Sequence, residues 1–159
     1  MAPETTGPDY GDPAVQEEWC MACQGKVIQY LSDQGVDHGQ VGRWPALHVA
    51  PILAIWPIES KQWPGKLGWW VICGDLPTDH VSGCMVHHPR AAMQAFGERW
   101  REAAAHMARG EPLPDGSRVG RPEDWPSLAP LVASRAEALL DWAADDAWWE
   151  ADGSWKDTG

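Results

Sequence analysis

Apolar residues recur at spacings of three and four along three stretches of the chain, and they crowd into two short runs between the first stretch and the second. In the first stretch Val15, Trp19, Cys23, Val27 and Tyr30 or Leu31 form one stripe, the period of a helix with a single buried face. Asp12 can accept the free N–H groups at its start, Pro13 suits the first helical position, Glu17 and Glu18 favour the positive end of the dipole, and Gly35 supplies a stop. The pattern predicts a helix over 13–34.

The two short runs have a different character. Pro51-Ile-Leu-Ala-Ile-Trp-Pro-Ile58 is bounded by prolines and rich in β-branched residues, and Leu67-Gly-Trp-Trp-Val-Ile-Cys73 follows it across Trp63-Pro64-Gly65-Lys66. Two buried strands, 52–58 and 67–73, joined across a Pro-Gly turn form an antiparallel hairpin. Residues 44–49 offer a third strand. The segment from Asp75 to His88 reads as a loop.

Pro89 opens a second stripe of Met93, Phe96, Trp100, Ala103 or Ala104 and Met107, with Gly110 after it, which predicts a helix over 89–109. A stretch rich in proline and glycine, 111–126, should cross the surface without regular structure. A third stripe of Leu128, Leu131 or Val132, Ala136, Leu139 or Leu140 and Ala143 follows, capped by Asp124 or Ser127, with Pro130 in its first turn. It predicts a helix over 127–148. The expectation is an α+β fold in which three helices pack on a small antiparallel sheet built around a β-hairpin. It forms a single domain over 12–150, with loose tails at 1–11 and 151–159.

Composition changes this picture at two points. Tryptophan occurs 12 times against two tyrosines and one phenylalanine, so indoles supply most of the aromatic packing. Because each indole carries an N–H that needs a partner, some of these rings should be half-exposed and mark a contact surface. The formal net charge is −11, divided as −5 over residues 1–43, −1 over 44–88, +2 over 89–110 and −7 over 111–159. An anionic protein repels phosphate backbones and anionic membranes, so neither nucleic acid nor membrane is an expected partner. The basic stretch, with Arg90, Arg99, Arg101 and Arg109, is expected to face the acidic termini of its own chain. No run approaches the roughly 18 apolar residues of a membrane span, and the N-terminus lacks the basic-then-apolar order of an export signal. A cytoplasmic location with Cys20, Cys23, Cys73 and Cys84 as thiols is the expectation.

Three constellations could carry chemistry. Cys20 and Cys23 have the spacing of redox dithiols and zinc knuckles. They lie two turns inside a helix, however, where a dipole lowers no thiol pKa, so packing is the plainer role. Cys73, His80, Cys84, His87 and His88 are dense enough to suggest tetrahedral zinc. Their spacing matches no standard module, and His88 has a competing role as the residue before a helix. The expectation is no metal and no cofactor, with zinc on Cys73, His80, Cys84 and His87 as the alternative. Third, Asp75, Thr78, Asp79 and His80 stand in Gly-Asp-Leu-Pro-Thr-Asp-His at the end of a rigid strand, where binding groups are commonly placed. A carboxylate of Asp75 or Asp79 beside His80 could orient a general base. Asp and Thr also shape loops by local side-chain bonds, and no Walker loop, dinucleotide fingerprint, nucleophile elbow or His-Glu-x-x-His pair accompanies them.

Ala54-Ile-Trp56, Trp70-Val-Ile-Cys-Gly-Asp-Leu-Pro-Thr-Asp-His80, Pro89-Arg-Ala-Ala-Met-Gln-Ala-Phe96 with Arg99-Trp100, and Asp146-Ala-Trp-Trp149 together resemble an uncharacterised bacterial family catalogued as a domain of unknown function, number 4826. The resemblance spans about residues 13–150, and the Gly-Asp-Leu-Pro-Thr-Asp-His string is its most specific part. It implies a small bacterial cytosolic protein and brings no activity, cofactor or catalytic residue. The four cysteines and the His87-His88 pair lie outside the shared pattern, which weighs against zinc.

Two functions follow from the residues. In the first, exposed tryptophans on an acidic surface bind a partner protein, a basic one in keeping with the charge, without catalysis. In the second, Asp75, Asp79 and His80 form the site of a small hydrolase or metal-dependent enzyme.

Overall fold

Asp12 starts the first helix as its position suggests: its Oδ1 accepts the Ala14 N–H at 2.9 Å, and Pro13 occupies the first turn. The computed structural model describes residues 9–76, 78–84, 86–113 and 121–152. The expected tails lie largely outside these residues, as does Pro77. The backbone divides into two compact units, Met1–Thr78 and Asp79–Gly159.

In the first unit helix α1, Pro13–Asp33, is followed by strands β1 (Leu47–Val49), β2 (Leu53–Glu59) and β3 (Leu67–Gly74). The chain leaves α1 through Gly35 at φ +66°, and Val36 N–H returns to the Leu31 carbonyl at 3.0 Å. The left-handed region that closes this turn is open to glycine at no steric cost. β2 and β3 form the expected antiparallel hairpin, with Ala54 opposite Cys73, Trp56 opposite Val71 and Ile58 opposite Trp69. β1 pairs antiparallel with β2, Leu47 opposite Ile55.

Alternation along the strands brings Ala54, Trp56, Ile58, Val71 and Cys73 into one cluster with Cys23, Val27 and Leu31 of α1. Each fully buried Val, Leu or Ile there contributes roughly 1.5–3 kcal/mol, so the hairpin is held on the helix by apolar burial. Gly74 ends β3 at φ +137°, and a Cβ there would stand 2.3 Å from the Ile52 carbonyl. That close approach lets Asp75 N–H donate to the same carbonyl at 2.8 Å.

The second unit holds strand β4 (Asp79–Ser82), helix α2 (Pro89–Ala108), a 3-10 turn at Pro122–Asp124, helix α3 (Trp125–Ala143) and helix α4 (Asp146–Asp152). The stripes of α2 and α3 are buried at Met93, Phe96, Trp100, Met107, Val132, Ala136 and Leu139. The two helices approach closely at Gly97, where a Cβ would lie 2.7 Å from Leu140 Cγ and 3.3 Å from the Ala136 carbonyl.

The α+β class and the hairpin stand, and four details differ from the sequence expectation. Asp79 and His80 lie on a strand instead of a loop. The third helix begins at Trp125, so Pro130 lies inside it and not in its first turn, and Asp124 makes no side-chain cap. The predicted 127–148 helix is two helices, which raises the count to four. It breaks because Asp145 Oδ1 accepts the Trp148 N–H at 3.2 Å and starts α4 afresh. Within 111–126 the described part includes the 3-10 turn, and residues 114–120 lie outside the described residues.

Candidate functional site

Of the described tryptophans, Trp56, Trp70, Trp100 and Trp125 are buried, Trp44 and Trp63 are 46% and 67% exposed, and the rest are half-buried. Three of the half-buried rings gather where α3 gives way to α4. Trp148 stands edge-on to Trp149 with centroids 4.7 Å apart, and Trp142 lies 5.7 Å from Trp148. The Trp149 Nε1–H donates to the Trp142 carbonyl at 3.0 Å. That carbonyl also accepts the Asp145 N–H at 3.1 Å, so the indole completes the coordination of a carbonyl at the helix end, which α3 itself no longer satisfies.

Arg90 ties this corner to the start of α2. Its Nε donates to the Ala143 carbonyl at 2.6 Å, its terminal nitrogen pairs with Asp146, and its guanidinium carbon lies 5.9 Å from the Trp149 ring centroid. The His88 ring meets Trp149 edge-on at 5.8 Å, while its Nδ1 accepts the Arg90 N–H at 3.0 Å and caps α2. Because Nδ1 acts as acceptor, the proton of a neutral ring resides on Nε2. Between the two helices lies an open cleft of about 450 Å³ lined by His88, Arg90, Ala91, Gln94, Trp149 and Glu150. An aromatic wall with a few polar groups is the usual make-up of a recognition pocket.

The basic stretch does reach acidic groups of its own chain. Besides Arg90 with Asp146, Arg101 makes two bonds to Glu137 at 2.8 and 2.9 Å, and Arg109 meets Glu111 at 3.1 Å. Arg99 goes to Asp79 at 2.8 Å.

Asp79 is thereby drawn into a network of side chains within the second unit. Its Oδ2 accepts from Arg99 Nε at 2.8 Å and from Trp100 Nε1 at 2.9 Å, and its Oδ1 accepts the His80 N–H at 2.8 Å. This carboxylate fastens β4 to α2 through the Arg99 and Trp100 donors, while the His80 N–H bonds it within β4. His80 follows it on β4, half-buried, and Thr78 is half-buried at the end of the first unit. Asp75 is exposed, with its backbone anchored on Ile52.

The cysteines separate by environment. Cys20, Cys23 and Cys73 are buried, whereas Cys84 is exposed with its N–H on Ser82 Oγ at 3.2 Å. Burial, and then the neighbouring Cys23, pushes the Cys20 thiol up to about 11. The thiol of Cys73 is raised as well, first by its hydrogen bond with Cys23 and then by burial. Deprotonating either would put an anion in an apolar core. Cys73 is in that core while His87 and Cys84 are exposed. Among the described residues no three His, Cys, Asp or Glu side chains gather as a metal site would require. No described helix is long and apolar enough to cross a membrane.

Comparison with known families gives a match over residues 13–149 to a model described as a domain of unknown function (DUF4826). It agrees with the resemblance carried by the Gly-Asp-Leu-Pro-Thr-Asp-His string. No curated protein and no solved structure matches the chain.

Proposed function

For a chain that belongs to the DUF4826 family, we propose a non-catalytic role as a protein-interaction module whose contact surface is the corner between α3 and α4. The observation that carries this reading is the packing of Trp142, Trp148 and Trp149 in half-buried positions beside an open cleft of about 450 Å³. Indoles contribute heavily to binding when a partner completes their burial, and tryptophan and arginine are the side chains most enriched at such points. Trp44 and Trp63 are more exposed, but they stand apart from this cluster, Trp63 in the turn between β2 and β3 and Trp44 against the His48 ring at 5.0 Å.

The hydrolytic or metal-dependent alternative at Asp75, Asp79 and His80 has less support. Both oxygens of Asp79 already accept hydrogen bonds from its own unit, which suits an anchor better than a base.

The reading is tested by capturing binding partners with the wild-type chain and with a Trp148→Ala, Trp149→Ala variant whose fold is checked by circular dichroism. The expected result is a reproducible partner whose recovery falls about tenfold or more in the variant, the loss typical of two removed hot-spot residues. The same partner should be recovered in full by His80→Gln. Undiminished recovery by the double tryptophan variant would reject the corner as the contact surface.

A further inference from the structure

We infer that the cleft between α2 and α4 receives a Lys or Arg side chain from a basic segment of the partner protein. This rests on the interaction reading above and adds the partner's chemistry to it. From position 136 to 155 the chain carries Glu137, Asp141, Asp145, Asp146, Glu150 and Asp152 and no basic residue. Around the indoles the described carboxylates Asp145, Asp146 and Glu150 stand beside Arg90, which pairs with Asp146.

Arg90, the cation lining the cleft, does not reverse this sign. Its guanidinium is held by Asp146 and by the Ala143 carbonyl, so its charge is balanced inside the protein. Glu98 holds the Gln94 amide at 3.1 Å, and Glu150, next to Trp149 on α4, is the carboxylate that lines the cleft. The start of α2 offers no competing anion seat, since the His88 ring already accepts the Arg90 N–H and an arriving anion would face Glu150.

An incoming Lys or Arg can meet Trp149 and Glu150, neighbouring residues of α4, at once. Its aliphatic stem packs on the Trp149 indole while its charged head reaches the Glu150 carboxylate. At about 450 Å³ the open cleft has room for such a side chain. The surrounding carboxylates would steer a basic segment toward the corner, more strongly at low salt than at high.

The test uses the full chain and two synthetic peptides, Gly-Ser-Arg-Leu-Arg-Ser-Gly and its counterpart with Glu in place of both Arg, followed through assigned indole N–H resonances. The Arg peptide should shift the Trp149 resonance in a saturable manner that weakens as salt is raised, and the Glu peptide should not. Glu150→Lys, an exposed position whose change leaves the core intact, should weaken the Arg peptide about tenfold. Glu17→Lys, equally acidic but on α1, should change it less than about twofold.

Equal affinity in Glu150→Lys and wild type would overturn the inference. So would an Arg peptide that moves Trp44 or Trp63 in place of Trp149, or the absence of any Trp149 shift at millimolar peptide. A Trp149 shift caused by the Glu peptide alone would overturn the assigned charge while leaving the corner as a contact surface. Loss of the corner itself is read separately, from partner capture by the double tryptophan variant.

Discussion

Replacing Asp79 by alanine removes an acceptor from three donors at once, and the structure allows the cost of each to be weighed. Trp100 is 4% exposed, so its indole N–H would be left buried without a partner, a loss of about 1–3 kcal/mol. Arg99 has 32% of its side chain exposed and Asp79 16%, so water can take over part of the guanidinium's needs, and this ion pair contributes no more than about 1 kcal/mol. The His80 amide adds about 0.5–1 kcal/mol, the usual net value of one hydrogen bond. The total is about 3 kcal/mol, which for a chain of this size lowers Tm by about 6–12 °C. Urea denaturation monitored by circular dichroism measures it directly. In a Trp100→Phe background, where no indole N–H is stranded, the same substitution should cost about 1 kcal/mol less. A stability within about 0.5 kcal/mol of wild type for Asp79→Ala would refute the anchor reasoning, because it would mean that none of the three bonds matters.

Two further outcomes are expected. Gly97→Ala should destabilise the protein by about 1–2 kcal/mol on chemical denaturation, since the helix-propensity gain of about 1 kcal/mol is smaller than the cost of pushing a Cβ into Leu140 and the Ala136 carbonyl; a stabilised variant would show that the helices yield freely. Stability should also fall as pH rises from about 9 toward 11: the unfolded Cys20 thiol ionises near its ordinary value while the folded thiol, raised to about 11, stays protonated. The folded state then binds the extra proton, so alkali favours unfolding, and Cys20→Ala should flatten that part of the pH–stability curve.

The elements legible in the sequence were those whose signals are local. Asp12-Pro13 and the stripe behind it placed α1 to within a residue at each end, and the Pro-Gly turn placed the hairpin, because caps, turns and periodic burial are decided by neighbours in the chain. β4 escaped notice because Asp79-His-Val-Ser82 is short and has no apolar alternation. The anchoring of Asp79 on Arg99 and Trp100 spans about twenty positions, and no spacing rule announces it. The break after Ala143 was hidden by alanines that favour continuing the helix, although Asp145-Asp146 held the capping signal that stops it. Tryptophan content pointed to a contact surface but not to its members. Trp142, Trp148 and Trp149 gather where the helix stops, and the arginine beside Trp149 lies 56 residues from its carboxylate.

That stop makes the corner a matter of phase. Each helical residue turns the chain by about 100° and advances it by about 1.5 Å. The two residues between α3 and α4 therefore set the compass bearing of every side chain beyond them. Removing one of them would swing Trp149 about a quarter-turn away from Arg90 and His88 while altering none of the side chains that line the cleft. The recognition surface is in this sense encoded as much by a residue count as by residue identities, and length changes at positions 144–145 should be far less tolerable than substitutions there.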